Sequence, residues 1–278
     1  MSFKIVVDSC CDLTASMLHD PTFVKVPLTI EVDGTYFVDD ASFQQPELLW
    51  QMKQSEHAPK TSCPSPAQYM DAFGHGTEDI YVVTLSALLS GSHNVAVRAK
   101  DIWAEEYPNA NIHIFNSCSA SAGQVRIALE IFRLASQGLP FSQVVRETDQ
   151  FIADMKTFFV LESLDNLRKN GRLSRMQALV TSTLKLKLLC GATPEGEICK
   201  KGQALSVKQA LHKMVALIEN DPERTDKTAV ISHCNCLERA FALKEELLSK
   251  AGFEEVIVTE TGGISTVYAD DGGIVVAY

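Results

Sequence analysis

No stretch of about 18 apolar residues occurs in this sequence, so it offers no membrane-spanning helix. Nor is there a block of about five like charges, and the net charge is −10, which argues against nucleic acid or an anionic membrane surface as a partner. The opening residues MSFKIVVDS lack the long apolar segment of an export signal. The expected location is the cytoplasm. Eight cysteines are present, but none forms a C-x-x-C pair, and in a chain with ample core material they read as free thiols. His233, Cys234 and Cys236 could begin a metal site, yet no second cluster completes it. The P-loop, the G-x-G-x-x-G turn and the G-x-S-x-G elbow are all missing, so no nucleotide, cofactor or metal is called for. No Pro/Gly/Ser-rich linker, internal repeat or low-complexity tract appears either.

What the chain does have is core. Of 278 residues 46% are hydrophobic, enough for two domains. In the first half, apolar strands at 3–9, 79–86 and 111–117 alternate with amphipathic helices, the order that builds a mostly parallel sheet with right-handed crossovers. Residues 24–32, Asp33-Gly34 and TYFVD read as a hairpin interrupted at Pro27. The second half changes rhythm. A strand at TFFVL, a helix closed by Gly171, a second helix entered at Ser174, two strands around Pro194-Glu195-Gly196, and further strands and helices predict a mixed sheet. The expected organisation is two α/β domains, 1–155 and 156–278.

Ligands of parallel sheets lie at the carboxyl ends of the strands. Here those ends carry Asp8 and Ser9, Ser86, and Asn116 and Ser117. Two hydroxyl-rich helix entrances accompany them. In KTSCPSPAQY, residues 60–69, Ser65 with Gln68 makes a capping box and Pro66 suits the first helical position, while Thr61 and Ser62 lie just upstream, at the positive end of the dipole. In LLSGSHN, Ser90 and Ser92 flank Gly91, where a carboxylate or phosphate oxygen could accept several hydrogen bonds. Each is equally readable as an ordinary cap or turn. Arg172, between Gly171 and the next helix start, offers a planar fork to an anion, or is simply solvated; Arg168 and Arg175 are alike in this. Leu179, Val180 and Leu184 would line either a lipid channel or a core. A Ser or Cys hydrolase would draw on Ser90, Cys10 or Cys118 with His93, but no motif places an acid or base to orient them.

Taken together, VDSCCDL, TSCPS, LSGS, FNSCSASAG, LRKNGRLS and CGATPEGEI, in this order along nearly the whole chain, resemble the DegV family. The resemblance implies two α/β domains that bind one long-chain fatty acid between them. It implies a carrier without catalytic residues of its own, which presents the acyl carboxylate to a separate ATP-dependent fatty acid kinase and then holds the acyl phosphate. The family's head-group residues fall on Thr61, Ser62, Ser90, Gly91, Ser92 and Arg172. An apolar tunnel would take the tail, and about 16 carbons at about 0.8 kcal/mol per CH₂ exceed the cost of ordering them. Two departures stand out. Where many members carry H-x-G-P-G near the C-terminus, Glu260 in ETGGIS takes the His position, which would repel a carboxylate unless protonated or paired with Arg172. Lys200 and Lys201 stand where the family carries an arginine facing the kinase. A different amphiphile is the alternative ligand.

Overall fold

The computed structural model describes residues 2–75, 79–173 and 186–278. Its first sheet is wholly parallel, in the order β2-β1-β6-β7, from β1 (Phe3–Asp8), β2 (Phe23–Val26), β6 (Asp79–Thr84) and β7 (Ile112–Asn116). β1 and β6 are buried on both faces, which is why they read as unbroken apolar runs. α3 (Pro66–Phe73) and α4 (Ser92–Glu106) share a core with one face. α5 (Ala122–Ser136) and α6 (Phe141–Asp154) pack on the other.

Pro27 does break the early apolar run. β3 (Thr29–Val32) leaves the first sheet and joins β4 (Thr35–Val38) and β5 (Lys60–Ser62) in a small antiparallel sheet. Asp33 and Gly34 form the hairpin turn, both with positive φ as a type I′ turn demands. α1 (Ala15–His19) and α2 (Gln45–Gln54) complete this part.

The second half forms a six-stranded mixed sheet, in the order β10-β9-β8-β13-β11-β12. Its strands are β8 (Thr157–Val160), β9 (Lys187–Ala192), β10 (Ile198–Ala204), β11 (Thr228–His233), β12 (Glu255–Glu260) and β13 (Ile274–Ala277). Only the β11–β12 pair among them is parallel. α7 (Asp165–Lys169) is short, and Gly171 follows it with the positive φ its place after the helix suggested. α8 (Val207–Glu219) and α9 (Leu237–Ser249) cover one face with a core of their own. α10 (Gly263–Ala269) precedes the final strand. The helix expected from Ser174, with Arg175, Leu179, Val180 and Leu184, lies outside the described residues.

α5 stands between the two sheets. Residues 121–128 are all buried, because one side meets Ile5, Val7, Tyr81 and Val83 while another meets Val230 and Ala277. Two polar side chains are buried with them, Gln124 on Asp8 and Arg126 on Asp226, so each is paired. No helix among the described residues is long and apolar enough to cross a membrane.

Candidate functional site

A cavity opens between the carboxyl edge of the parallel sheet and the mixed sheet, with about 790 Å³ of empty space including its mouth. From the first half, Cys10, Leu85, Leu89 and residues 118–121 line it. From the second come Phe159, Leu161, Leu167, Ile198 and, on α10, Ile264, Ser265, Tyr268 and Ala269. The wall is therefore almost wholly apolar, with a few polar groups gathered at defined points, the usual make-up of a small-molecule site.

The largest of those groups is Arg172. Its Nε donates to the carbonyl of Leu89 at 3.2 Å and Nη1 donates to the carbonyl of Asn170, which fixes the fork. The ring of Tyr268 covers it, with Cζ 5.8 Å from the ring centroid. The hydroxyl of Tyr268 shares a 2.8 Å hydrogen bond with Thr61 Oγ1 on β5. Thr61, Tyr268 and Arg172 thus come together from three distant segments. Of the three, Arg172 and Tyr268 line the apolar cavity, while Thr61 is bonded to Tyr268 without lining it; a cation beside a hydroxyl is suited to a carboxylate head.

The other sequence candidates fare differently. Ser62 follows Thr61 on a strand, so its side chain points to the opposite face, and it is exposed. The Ser65 capping box forms as expected, with Gln68 N–H on Ser65 Oγ at 3.3 Å and Ser65 N–H on Gln68 Oε1 at 2.9 Å. Ser90 is half-buried, directly after Leu89, and its hydroxyl accepts the Ser92 N–H at 3.2 Å. Gly91 is the N-cap of α4 with φ −71°, a conformation open to any residue, and a Cβ there would lie 3.7 Å from Cys63 Sγ. The two hydroxyl-rich entrances are therefore neighbours.

Two expectations need correction. Ser92 is fully buried and does not line the cavity; its hydroxyl donates to Asp8 at 2.8 Å and shares a 2.7 Å bond with Tyr69. A short side chain at the first turn of α4 has been drawn inward to satisfy a buried carboxylate. Glu260 ends β12 opposite His233, exposed, and is not among the lining residues. In the turn between α10 and β13, Asp270 and Gly272 both have positive φ, +58° and +91°.

The chemistry of a hydrolase finds less support. Burial pushes the Cys10 thiol well above its ordinary range and, to a smaller degree, raises Cys118. His93 Nδ1 bonds Thr84 Oγ1 at 3.0 Å, and burial holds its pKa below the usual value. Among the described residues no group of three or more His, Cys, Asp or Glu is placed to hold a metal ion.

The remaining polar contacts hold the wall in place. Ser86 Oγ donates to the carbonyl of Gly196 at 2.8 Å, pinning the β9–β10 turn to the parallel sheet. A Cβ at Gly196 would lie 2.4 Å from Ser86 Oγ and 2.7 Å from Cys118 Cα, and φ is +88°, so only glycine fits. Ser119 Oγ and Thr157 Oγ1 share a buried 2.7 Å bond across the two halves. Asp8 accepts from Leu85 N–H, Ser92 and Gln124, yet burial still raises its pKa to about 6.

A family model described as "Uncharacterised protein, DegV family" matches residues 2–278. A "DegV domain-containing protein" of Streptococcus gordonii is 33% identical over 288 residues, covering 100% of this chain and 99% of that protein. Among solved structures, a DegV family protein from Ruminococcus gnavus, refined with vaccenic acid, superimposes with a TM-score of 0.95 at 45% identity, covering 100% of this chain and 99% of that one. The Streptococcus pneumoniae Fatty Acid Kinase (Fak) B3 protein loaded with linoleic acid gives a TM-score of 0.89 at 32% identity, with coverage of 100% and 99%.

Proposed function

The chain belongs to the DegV family, and on that premise we propose that it is a carrier for one long-chain fatty acid. The acyl chain fills the cavity between the sheets, and the carboxylate meets Arg172, Tyr268 and Thr61, with Ser90 beside them. Residues 1–155 and 156–278 act as the two domains that enclose it. The observation that carries this reading is the joining of an apolar cavity to a fixed guanidinium beneath the ring of Tyr268, whose hydroxyl meets Thr61. An apolar chain of about 16 carbons gains about 0.8 kcal/mol per buried CH₂, and the cation supplies orientation. The vaccenic and linoleic acids of the similar structures agree with it.

A finer step follows from the same premise. The carrier presents its acyl head to a separate kinase for acyl phosphate formation, in the cytoplasm, without catalytic groups of its own. Support comes from the likeness to the Fak B3 protein. Lys200 and Lys201 lie on β10, an edge strand with a bulge at Lys200/Gly202; Lys201 is exposed and free to reach a partner's surface, while Lys200 is half-buried with its ammonium on Gln203 Oε1. Another amphiphile with an anionic head would suit the same residues.

Native mass spectrometry of protein purified without added lipid, followed by identification of what denaturation releases, tests the reading. A mass excess matching a fatty acid, with Arg172→Met protein retaining much less of it, is the expected result. Empty protein that also fails to take up palmitate or oleate would refute the carrier.

A further inference from the structure

The first N–H groups of a helix have no partner within the helix. In α10 three successive amides find carboxylates of the first half instead. Gly262 N–H donates to Asp12 Oδ1 at 2.8 Å, and Asp39 takes the next two, Gly263 on Oδ1 at 2.8 Å and Ile264 on Oδ2 at 2.9 Å. Asp12 divides its oxygens between α10 and the Ser121 hydroxyl. Asp39 devotes both to the helix. Its carboxylate is fully buried, with Lys25 Nζ 3.6 Å away, so the bonds are charge-assisted and shielded from water. The fit is close on the helix side too: a Cβ at Gly263 would stand 2.9 Å from Asp39 Cγ and 2.8 Å from Ile30 Cδ1.

Ile264 and Tyr268 lie four residues apart on one face of α10, and both line the cavity. Where Asp39 holds Ile264, one turn later Tyr268 is held against Thr61 and over Arg172. We propose that Asp39, which does not line the cavity, is a positioning residue for its head-group end and acts through α10 on Tyr268. The inference rests on the fatty acid reading above and adds to it a residue outside the site.

The test compares palmitate with methyl palmitate, which shares the tail and lacks the charge, by displacement of a fluorescent fatty acid from the full chain. Asp39→Asn keeps the size but puts an amide nitrogen where one oxygen accepted an N–H. The expected result is about a tenfold loss for palmitate with the ester held within about twofold. Tyr268→Phe should show the same selective loss, and the double variant should be no worse than Tyr268→Phe alone. An equal loss for acid and ester, or losses that add in the double variant, overturns the proposal, since a merely structural role would produce either. Should Asp39→Asn not accumulate as folded protein, Gly263→Ala presses on the same contact from the helix side and is judged by the same two criteria. Wild-type protein that binds neither probe would instead overturn the carrier reading, and this inference with it.

Discussion

α5 and α10 both bridge the two halves, but α5 is held mainly by apolar side chains, with Gln124 on Asp8 and Arg126 on Asp226 as its buried polar contacts, while α10 is held at its start by two carboxylates. Burial of apolar surface is non-directional and scales with area, so α5 fixes that the sheets stay together without fixing any atom finely. Hydrogen bonds to charge are directional, and α10 needs direction because Tyr268 must meet Thr61 at 2.8 Å. The joint that gives stability and the joint that gives geometry are separate.

The strongest way to break that separation is to weaken α5. Ile131 is fully buried in the shared core, and Ile131→Ala should cost about 2–5 kcal/mol in chemical denaturation. The ratio of palmitate to methyl palmitate affinity should stay unchanged; a shift in that ratio would show that α5 also sets the head-group geometry.

A smaller effect sharpens one of the polar contacts of α5, the bond from Gln124 Nε2 to Asp8 at 2.9 Å. Asp8 has a folded pKa raised by burial to about 6 from 3.8, so the folded state binds more protons between those values and stability falls as pH rises through them. Above about pH 6 the loss is complete, at about 3 kcal/mol for a shift of this size. His93, His113 and His233, held below their usual pKa by burial, work in the opposite sense as pH falls below about 6.5, so the Asp8 contribution is best read as a difference. Asp8→Asn should gain stability relative to wild type between pH 4 and pH 7 in thermal unfolding. A difference flat across that range would mean that Asp8 stays ionised throughout.

The smallest effect belongs to a polar joint of purely local reach. Ser65→Ala removes the hydroxyl that accepts the Gln68 N–H at α3 and should cost about 1 kcal/mol without changing fatty acid affinity. Loss of affinity there would extend the directional region from α10 into the 60–66 segment.

Much of the fold was legible because its signals are local. The Ser65 capping box, the Asp33-Gly34 turn, the break at Pro27 and the apolar runs of β1 and β6 each follow from a few adjacent residues. The site was legible in part. Arg172 and Thr61 stood out as residue types near a helix start or cap, and Tyr268 touches both. Strand β5 was missed, since three residues carry too little periodicity, and with it the alternation that turns Ser62 away from Thr61. Ser92 could not be assigned, because its partners Asp8 and Tyr69 are 84 and 23 residues distant. Tyr268 depended on a third segment again, 207 residues from Thr61. Such pairings are set by packing of the two halves, which no window of sequence contains.

Cys63 is the one exposed thiol of the eight, two residues from Thr61 and close to Gly91. Its seven companions are buried or half-buried, so a maleimide dye should couple there selectively and leave the core untouched. The head-group end thus comes with a built-in attachment point for a reporter, and a labelled chain would turn occupancy of the cavity into an optical signal readable in real time.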